Sequence, residues 1–482
     1  MSGEISRQAF VRRALGGLAG AALLGSCRSV TPKAVSTPSP PDWNALGNQL
    51  DGQLAMPSSA DYAAAKGVFN SRFAGSTPAA IIAAASLADV QKAVAFAATN
   101  HIGISARSGG HSYIGASALD ATLVIDLRGL PGGIDLDAGR NLVTVSPATD
   151  LDSVQTQLAG SGRSIPSGSC PTVGVAGLTL GGGLGSDARR CGLTCDTLVS
   201  ASLVLPTGAV VTASADDHDD LFWALRGGGG GNIGVVTSLT FRTFPAADRD
   251  VVTMTFPMES AAAVIVGWLS WLSTAARDIW GMVNITVGDG PGRCTLILAT
   301  PPGTGSSVAS EMLATVRISA SSTRTRTLNR IDFVHHFEGG DAARVPRAFV
   351  AGSDIVGEMT SAAGDSIVAA MSAWPQSAGS ATAVVESLSG AVDDIDPTDS
   401  AFPWRRQAAS VQWYTEAPSN AASGWLTAAH HTLASASVGG YINYPETGDP
   451  LARYLGPNLQ RFITIRQKYD PTGLMRSGIG AP

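Results

Sequence analysis

Residues 167–185 read SGSCPTVGVAGLTLGGGLG, seven glycines in nineteen positions with no charged side chain. Glycine lacks the Cβ that holds a neighbour off the main chain, so a run of this kind lets a ligand or another backbone come close. Whatever the chain folds into must bring partners onto this segment. It must also account for Cys170, which stands alone at its head.

The rest of the composition agrees with tight backbone approaches inside a large interior. The chain has 482 residues, 44% of them hydrophobic and 56 of them glycine, enough for about two or three domains with their own cores. Only 15% are charged, the net charge is −6, and lysine is confined to Lys33, Lys66, Lys92 and Lys468. That excludes the basic stripe a nucleic-acid binder needs.

The first residues read as targeting rather than fold. Arg7, Arg12 and Arg13 precede an apolar run from Ala14 to Leu24 that is too short to span a bilayer and resembles a signal h-region. It ends at Leu24-Gly25-Ser26-Cys27, which resembles a bacterial lipobox and implies a lipid anchor at Cys27. Residues 6–13 resemble a twin-arginine signal in degenerate form, with Gln8 in place of the second arginine. The expectation is an exported protein, a bacterial cell-envelope lipoprotein or a secreted one; the alternative is an uncleaved, disordered N-terminus. Residues 1–27 are thus the export signal, and the Pro/Ser-rich residues 28–42 a tether.

Four cysteines remain, Cys170, Cys191, Cys195 and Cys294. The spacing of Cys191 and Cys195 suits a disulfide or two buried thiols equally. No cluster has metal-ligand spacing, so no metal is expected. His218, His335, His336, His430 and His431 sit in charged or apolar runs that suit structural roles.

Along the chain, residues 77–109 give a strand, a helix capped near Ser86 and a second strand running into glycine, a βαβ-like unit. Further strands are expected at 122–130 and 141–150, followed by a helix that stops at glycine. Residues 197–215 form a hairpin turning at Pro206-Thr207-Gly208. Residues 217–245 read as helix, glycine loop and strand. Beyond Pro245 the texture becomes a largely antiparallel sheet, with strands at 251–258, 281–289, 294–302, 330–337, 382–390 and 410–417. Between them, residues 260–276 form a buried core helix rather than a membrane span.

Two stretches imitate a dinucleotide fingerprint, GLGSDA at 183–188 and GGGNIG at 229–234. The fingerprint works only after a strand and before a helix, whose N-terminus receives the pyrophosphate. The second stretch has the reverse order, and the first follows no clear strand, so NAD binding is disfavoured.

Taken together, ARSGGHSYIG (106–115), SGSCPTVGVAGLTLGGGLG, ALRGGGGGNIGVVTS (224–238) and YINYP (441–445) with KYDPTGLMR (468–476) resemble the berberine-bridge-enzyme-like FAD-linked oxidoreductases of the vanillyl-alcohol-oxidase superfamily. The resemblance spans roughly residues 55–482. It implies an α+β fold: a two-part FAD-binding domain over 43–245 and a C-terminal return over 441–482, plus a substrate domain over 246–440 whose largely antiparallel sheet is covered by helices. It implies FAD attached covalently twice, through His111 to the flavin 8α-methyl and through Cys170 to C6. A thiolate or neutral imidazole held against an electron-poor ring can form such bonds.

The same resemblance carries cofactor contacts to Arg107, Ser108, Gly109, Gly110, Ser112, Thr172, Val173, Gly174, Gly177, Gly181, Gly182, Gly183, Gly185, Asn232, Ile233, Gly234, Val235 and Asn443. It makes Tyr444 the catalytic base, which at an ordinary phenol pKa of about 10 needs a nearby cation or hydrogen bonds to act near neutrality. Asp394 and Gln412 are further catalytic candidates. Leu178 and Leu184 depart from the family's histidine and aromatic residue and make the pocket more apolar, while the small Val173 suits oxygen access. The implied activity is oxidation of a hydroxyl on a sugar, glycoside or secondary-metabolite-like alcohol, with hydride passing to flavin N5 and O2 reduced to H2O2. The alternatives are the same fold passing electrons to a quinone-like acceptor, and a non-enzymatic lipoprotein with a vestigial flavin.

Overall fold

The computed structural model describes residues 40–288, 290–337 and 341–480. The export signal, the lipobox and nearly all of the tether lie outside the described residues.

Ser86 caps the helix Leu87–Asn100 by accepting from Asp89 N, and His101 ends it in the left-handed conformation. The helix buries Val90, Ala93, Val94 and Ala97 on one stripe, as its spacing requires. It connects the strands Ala80–Ala83 and Ile104–Arg107, and Leu123–Asp126 lies between those two strands, parallel to both. Gln53–Ala55 adds an antiparallel edge to this four-stranded sheet. A second, five-stranded antiparallel sheet runs in the order Ile134–Asp137, Leu142–Val145, Val235–Arg242, Leu198–Val204, Val210–Ser214. The C-terminal segment joins both regions. Met475 bridges to Ile104, and Lys468 and Tyr469 of the helix Leu459–Tyr469 bond Asp220 at 2.6 and 2.7 Å.

The eight-stranded antiparallel sheet has the order Ser322–Leu328, Arg249–Pro257, Gly290–Thr300, Trp280–Gly288, Ala381–Ser387, Ala409–Thr415, Val350–Val356, Ser437–Gly439. Side chains alternate across a strand. One face, including Val283, Val385, Val411 and Trp413, packs on the helices Ala261–Leu272, Ser361–Ser372 and Asn420–Leu433 to form a large apolar core. The other face carries Met282, Glu386 and Gln412, with Met282 directly opposite Glu386. Among the described residues no helix is long and apolar enough to cross a membrane.

Residues 330–337, expected as a strand, form the helix Arg330–Phe337. Asn329 starts it, its side-chain oxygen accepting from Asp332 N at 3.0 Å, and Arg330 and Phe333 share the buried face three residues apart. The strands Ser322–Leu328 and Val350–Val356 escape the sequence reading for opposite reasons: the first is an exposed polar edge, the second is buried on both faces.

Candidate active site

A cavity of about 340 Å³ lies between the glycine loops and the open face of the large sheet. Its wall includes His111, Cys170, Leu178, Leu184, Tyr444, Glu386 and Gln412.

His111 and Cys170 sit on two loops locked together by glycine. A Cβ on Gly109 would lie 2.2 Å from Gly174 N, and one on Gly174 would lie 2.3 Å from Gly109 N, so neither position accepts a side chain. His111 Nε2 makes a 2.8 Å contact with the Thr172 hydroxyl, and its ring stacks on Phe69 at 3.9 Å. Burial, with the Arg347 charge nearby, pushes the imidazole down to about 4 against the opposing Thr172 bond. The ring is therefore neutral at neutral pH. Cys170 is an exposed thiol, whereas Cys195 and Cys294 are buried. Burial pushes Cys191 up to about 11 and Cys294 up to about 12. Cys191 and Cys195 are both free thiols, not a disulfide.

The triple glycine is spent on protein partners rather than on a ligand. Gly183 N and Leu184 N both donate to the Tyr441 hydroxyl, at 2.8 and 3.1 Å. Asn443 donates to Leu178 O at 2.9 Å and to the same hydroxyl at 3.0 Å. A Cβ on Gly181 would stand 2.0 Å from Asn443 Oδ1. Gly181, Gly182 and Gly183 thus form the socket that receives the 441–444 turn, and they are absent from the cavity wall. Gly177, in contrast, lines the cavity, and a Cβ there would meet no protein atom within 4 Å. Gly230 behaves alike, meeting only Leu180 at 3.9 Å. These two positions leave open the space a flat ligand needs against main chain.

Ser108, Gly109, Gly110, Ser112, Val173, Gly174, Gly185, Gly234 and Asn443 also border the cavity, while Thr172 acts on it through His111. Three expectations are corrected. Arg107 is fully buried and bonds Asp126 at 3.0 Å and the carbonyls of Gly67 and Ala65, so it holds the fold together and faces no phosphate. Asn232, Ile233 and Val235, expected at the cofactor through their main-chain amides, are absent from the cavity wall; Asn232 spends its side-chain amide on Gly228 O and Gly229 O, and Ile233 and Val235 belong to apolar cores. Asp394 lies on a turn beyond the strand Ala381–Ser387, exposed and paired with Arg277 at 2.5 and 2.8 Å, away from the cavity.

Tyr444 stacks on Tyr113 at 5.1 Å and meets Tyr441 edge-on at 4.9 Å. Burial, then the neighbouring Tyr113 and Glu386, raise its phenol well above 10. Among the described residues the groups that act on it most are not cations, contrary to the requirement set for a lone tyrosine base. Gln412 lines the cavity and donates to the Tyr113 hydroxyl at 2.5 Å. Sequence reasoning missed Tyr113 and Glu386. Tyr113 follows His111 by two residues in the quoted motif, and Glu386 is the one acid in the strand Ala381–Ser387, in register with the inward Met282. Burial pushes the Glu386 carboxyl up to about 7. That brings its protonation change close to neutrality.

Comparison with known proteins places this geometry. Residues 78–214 match a family model described as an FAD binding domain. Chitooligosaccharide oxidase of Gibberella zeae is 29% identical over 441 residues, covering 83% of this chain and 86% of that protein. Carbohydrate oxidase of Microdochium nivale is 27% identical over 456 residues, covering 87% and 90%. Its solved structure with a substrate analogue superposes with a TM-score of 0.82 at 24% identity, covering 91% of this chain and 99% of that one. A solved chitooligosaccharide oxidase gives the same TM-score of 0.82 at 25% identity over the same shares.

Proposed function

We propose that the chain is a berberine-bridge-enzyme-like FAD-linked oxidoreductase of the vanillyl-alcohol-oxidase superfamily, and from that premise that it is an oxidase of carbohydrate-like alcohols holding FAD through both His111 and Cys170. One observation carries the reading. The loops bearing a neutral imidazole and an exposed thiol are fixed to each other by the Gly109–Gly174 contact and the His111–Thr172 bond at one cavity. With Nε2 occupied by Thr172, the ring presents Nδ1 as its available nucleophilic nitrogen. Gly177 and Gly230 leave the room that the fused ring requires.

When bound, FAD supplies a hydride acceptor at N5 and a route for two electrons to O2, giving H2O2. The protein's own part is binding and proton handling. The Glu386 carboxylate takes up the substrate hydroxyl proton, directly or through the Tyr444 hydroxyl, which gives up its own proton as it accepts one. Glu386 ionises near neutrality while Tyr444 alone does not. Gln412 fixes Tyr113, and Tyr113 stacks on Tyr444, so the phenol is oriented before substrate arrives. Leu178, Leu184 and Val173 keep this end of the cavity apolar and dry. The sugar oxidases among the relatives support a saccharide hydroxyl as the substrate class.

The test is acid precipitation of the purified protein and of His111→Ala, Cys170→Ala and the double variant. Yellow colour and the mass of one FAD should stay with the polypeptide in wild type and in each single variant, and leave it in the double. A screen of mono- and oligosaccharides for H2O2 release then follows. Flavin lost from the wild type overturns the double attachment, and dye reduction without H2O2 overturns the oxidase reading in favour of another electron acceptor.

A further inference from the structure

The strand Val350–Val356 carries Ser353 and Asp354 side by side, and adjacent strand residues face opposite sides of a sheet. On the cavity side Ser353 Oγ accepts from Tyr441 N at 2.8 Å. On the helix side the Asp354 carboxylate gathers four groups. These are Trp413 Nε1 at 2.8 Å, Ser437 Oγ at 2.7 Å, His430 Nδ1 at 2.7 Å and Arg453 Nη2 at 3.1 Å. The second nitrogen of His430, Nε2, lies 2.8 Å from Glu446 Oε1.

Glu446 is two residues beyond Tyr444, so the 441–446 segment begins on one face of the strand and ends on the other. It wraps round the sheet edge, because the last strand, Ser437–Gly439, pairs only with Ile355 and Val356 and leaves the edge at Gly352 to Asp354 open. Gly352 admits the carboxylate: a Cβ there would stand 2.1 Å from Glu446 Oε1.

The groups facing His430 are Asp354 and Glu446, the cation Arg453, whose Nη2 is 3.2 Å from Nδ1, and the neutral donors Trp413 and Ser437. Asp449 draws Arg453 away through Nε at 3.1 Å. A neutral imidazole has a single N–H and leaves one acid facing a lone pair, whereas the protonated ring serves both acids. We propose that His430 is a positioning residue for Tyr444: as an imidazolium between Asp354 and Glu446 it latches the 441–446 segment round the sheet edge and fixes Asn443 and Tyr444 at the cavity. This rests on reading Tyr444 as a group that meets substrate.

Burial opposes the charge, but the two acids outweigh it and push the ring up to about 9. Its ordinary value is 6.5, so the latch contributes fully below about 6.5 and is lost as pH rises through about 9.

The experiment compares the flavin-bearing wild type with His430→Gln and Glu446→Gln in two ways. Unfolding midpoints from far-UV circular dichroism, taken from pH 6 to 10, do not depend on substrate. The gap between wild type and His430→Gln should close between about 6.5 and 9, and a gap constant with pH overturns the latch. Anaerobic flavin bleaching by xylobiose, diacetylchitobiose or lactose reads the effect on Tyr444. The wild-type reduction rate should fall above about pH 9, while both variants should be down roughly tenfold to a hundredfold at pH 7, without the limb near 9 and not additive when combined. A variant that melts earlier yet keeps the wild-type reduction rate and its limb near 9 makes His430 merely structural. If none of the sugars bleaches the flavin, the substrate reading fails, and the unfolding comparison alone decides the latch.

Discussion

Replacing Glu386 with glutamine keeps the side chain's shape and removes its titration. Burial moves this carboxyl from 4.5 to about 7, which makes its charged form about 3 kcal/mol costlier in the folded protein, at about 1.36 kcal/mol per pH unit. The unfolded chain ionises near 4.5 and the folded one near 7, so between these values unfolding releases a proton and stability falls as pH rises. Above about 7 the whole penalty is present; below 4.5 there is none. The stability that Glu386→Gln gains over wild type should therefore grow from nothing near pH 4.5 to about 3 kcal/mol at pH 8, measured by urea unfolding of the flavin-bearing proteins at fixed pH. Activity should move the other way. Wild-type turnover rises through about pH 7 as the carboxylate forms, and the variant loses that limb together with about a hundredfold or more in kcat. A stability difference that is the same at pH 4.5 and pH 8 would refute both the burial argument and the proton-acceptor role built on it.

Other expectations follow from particular contacts. Gly174→Ala forces apart the loops of His111 and Cys170, since its Cβ would sit 2.3 Å from Gly109 N; the purified variant should carry less acid-stable flavin, read from absorbance after precipitation. Tyr113→Phe removes the acceptor of the Gln412 bond and should lower the rate of flavin reduction roughly tenfold with flavin content unchanged, measured by anaerobic bleaching. Arg405→Leu strands Asp196, which Arg405 now meets at 2.7 and 2.8 Å with both side chains buried, and should cost about 3 to 5 kcal/mol in urea unfolding.

The elements that local pattern specifies were legible in the sequence. Ser86 announced its helix, Pro206-Thr207-Gly208 its hairpin, and the order of helix, glycine loop and strand at 217–245 stands as expected. His111, Cys170, Tyr444 and Gln412 do meet at one cavity. What sequence reasoning missed depends on long-range packing. Whether Gly181 to Gly183 hold a ligand or another loop is decided by Tyr441 and Asn443, far along the chain. Arg107 and Arg476 each precede a Ser-Gly pair, yet one is buried against Asp126 and the other borders the cavity. Glu386 looked like any strand acid until the register placed it opposite Met282. The helix Arg330–Phe337 depended on its Asn329 start, which an alternating run of apolar residues concealed.

The socket formed by Gly181 to Gly183 has a consequence for the order of assembly. Its plug, Tyr441, is 258 residues further along the chain than Gly183, and the bridge from Ile104 closes on Met475, 371 residues further along. While the chain is being synthesised, the glycine turn has neither the hydroxyl that organises it nor the asparagine that fills it. The wall between His111 and Tyr444 therefore exists only after the 441–475 segment has docked, so flavin capture waits for that segment, and a protein truncated before residue 441 would lack the plug that closes the site.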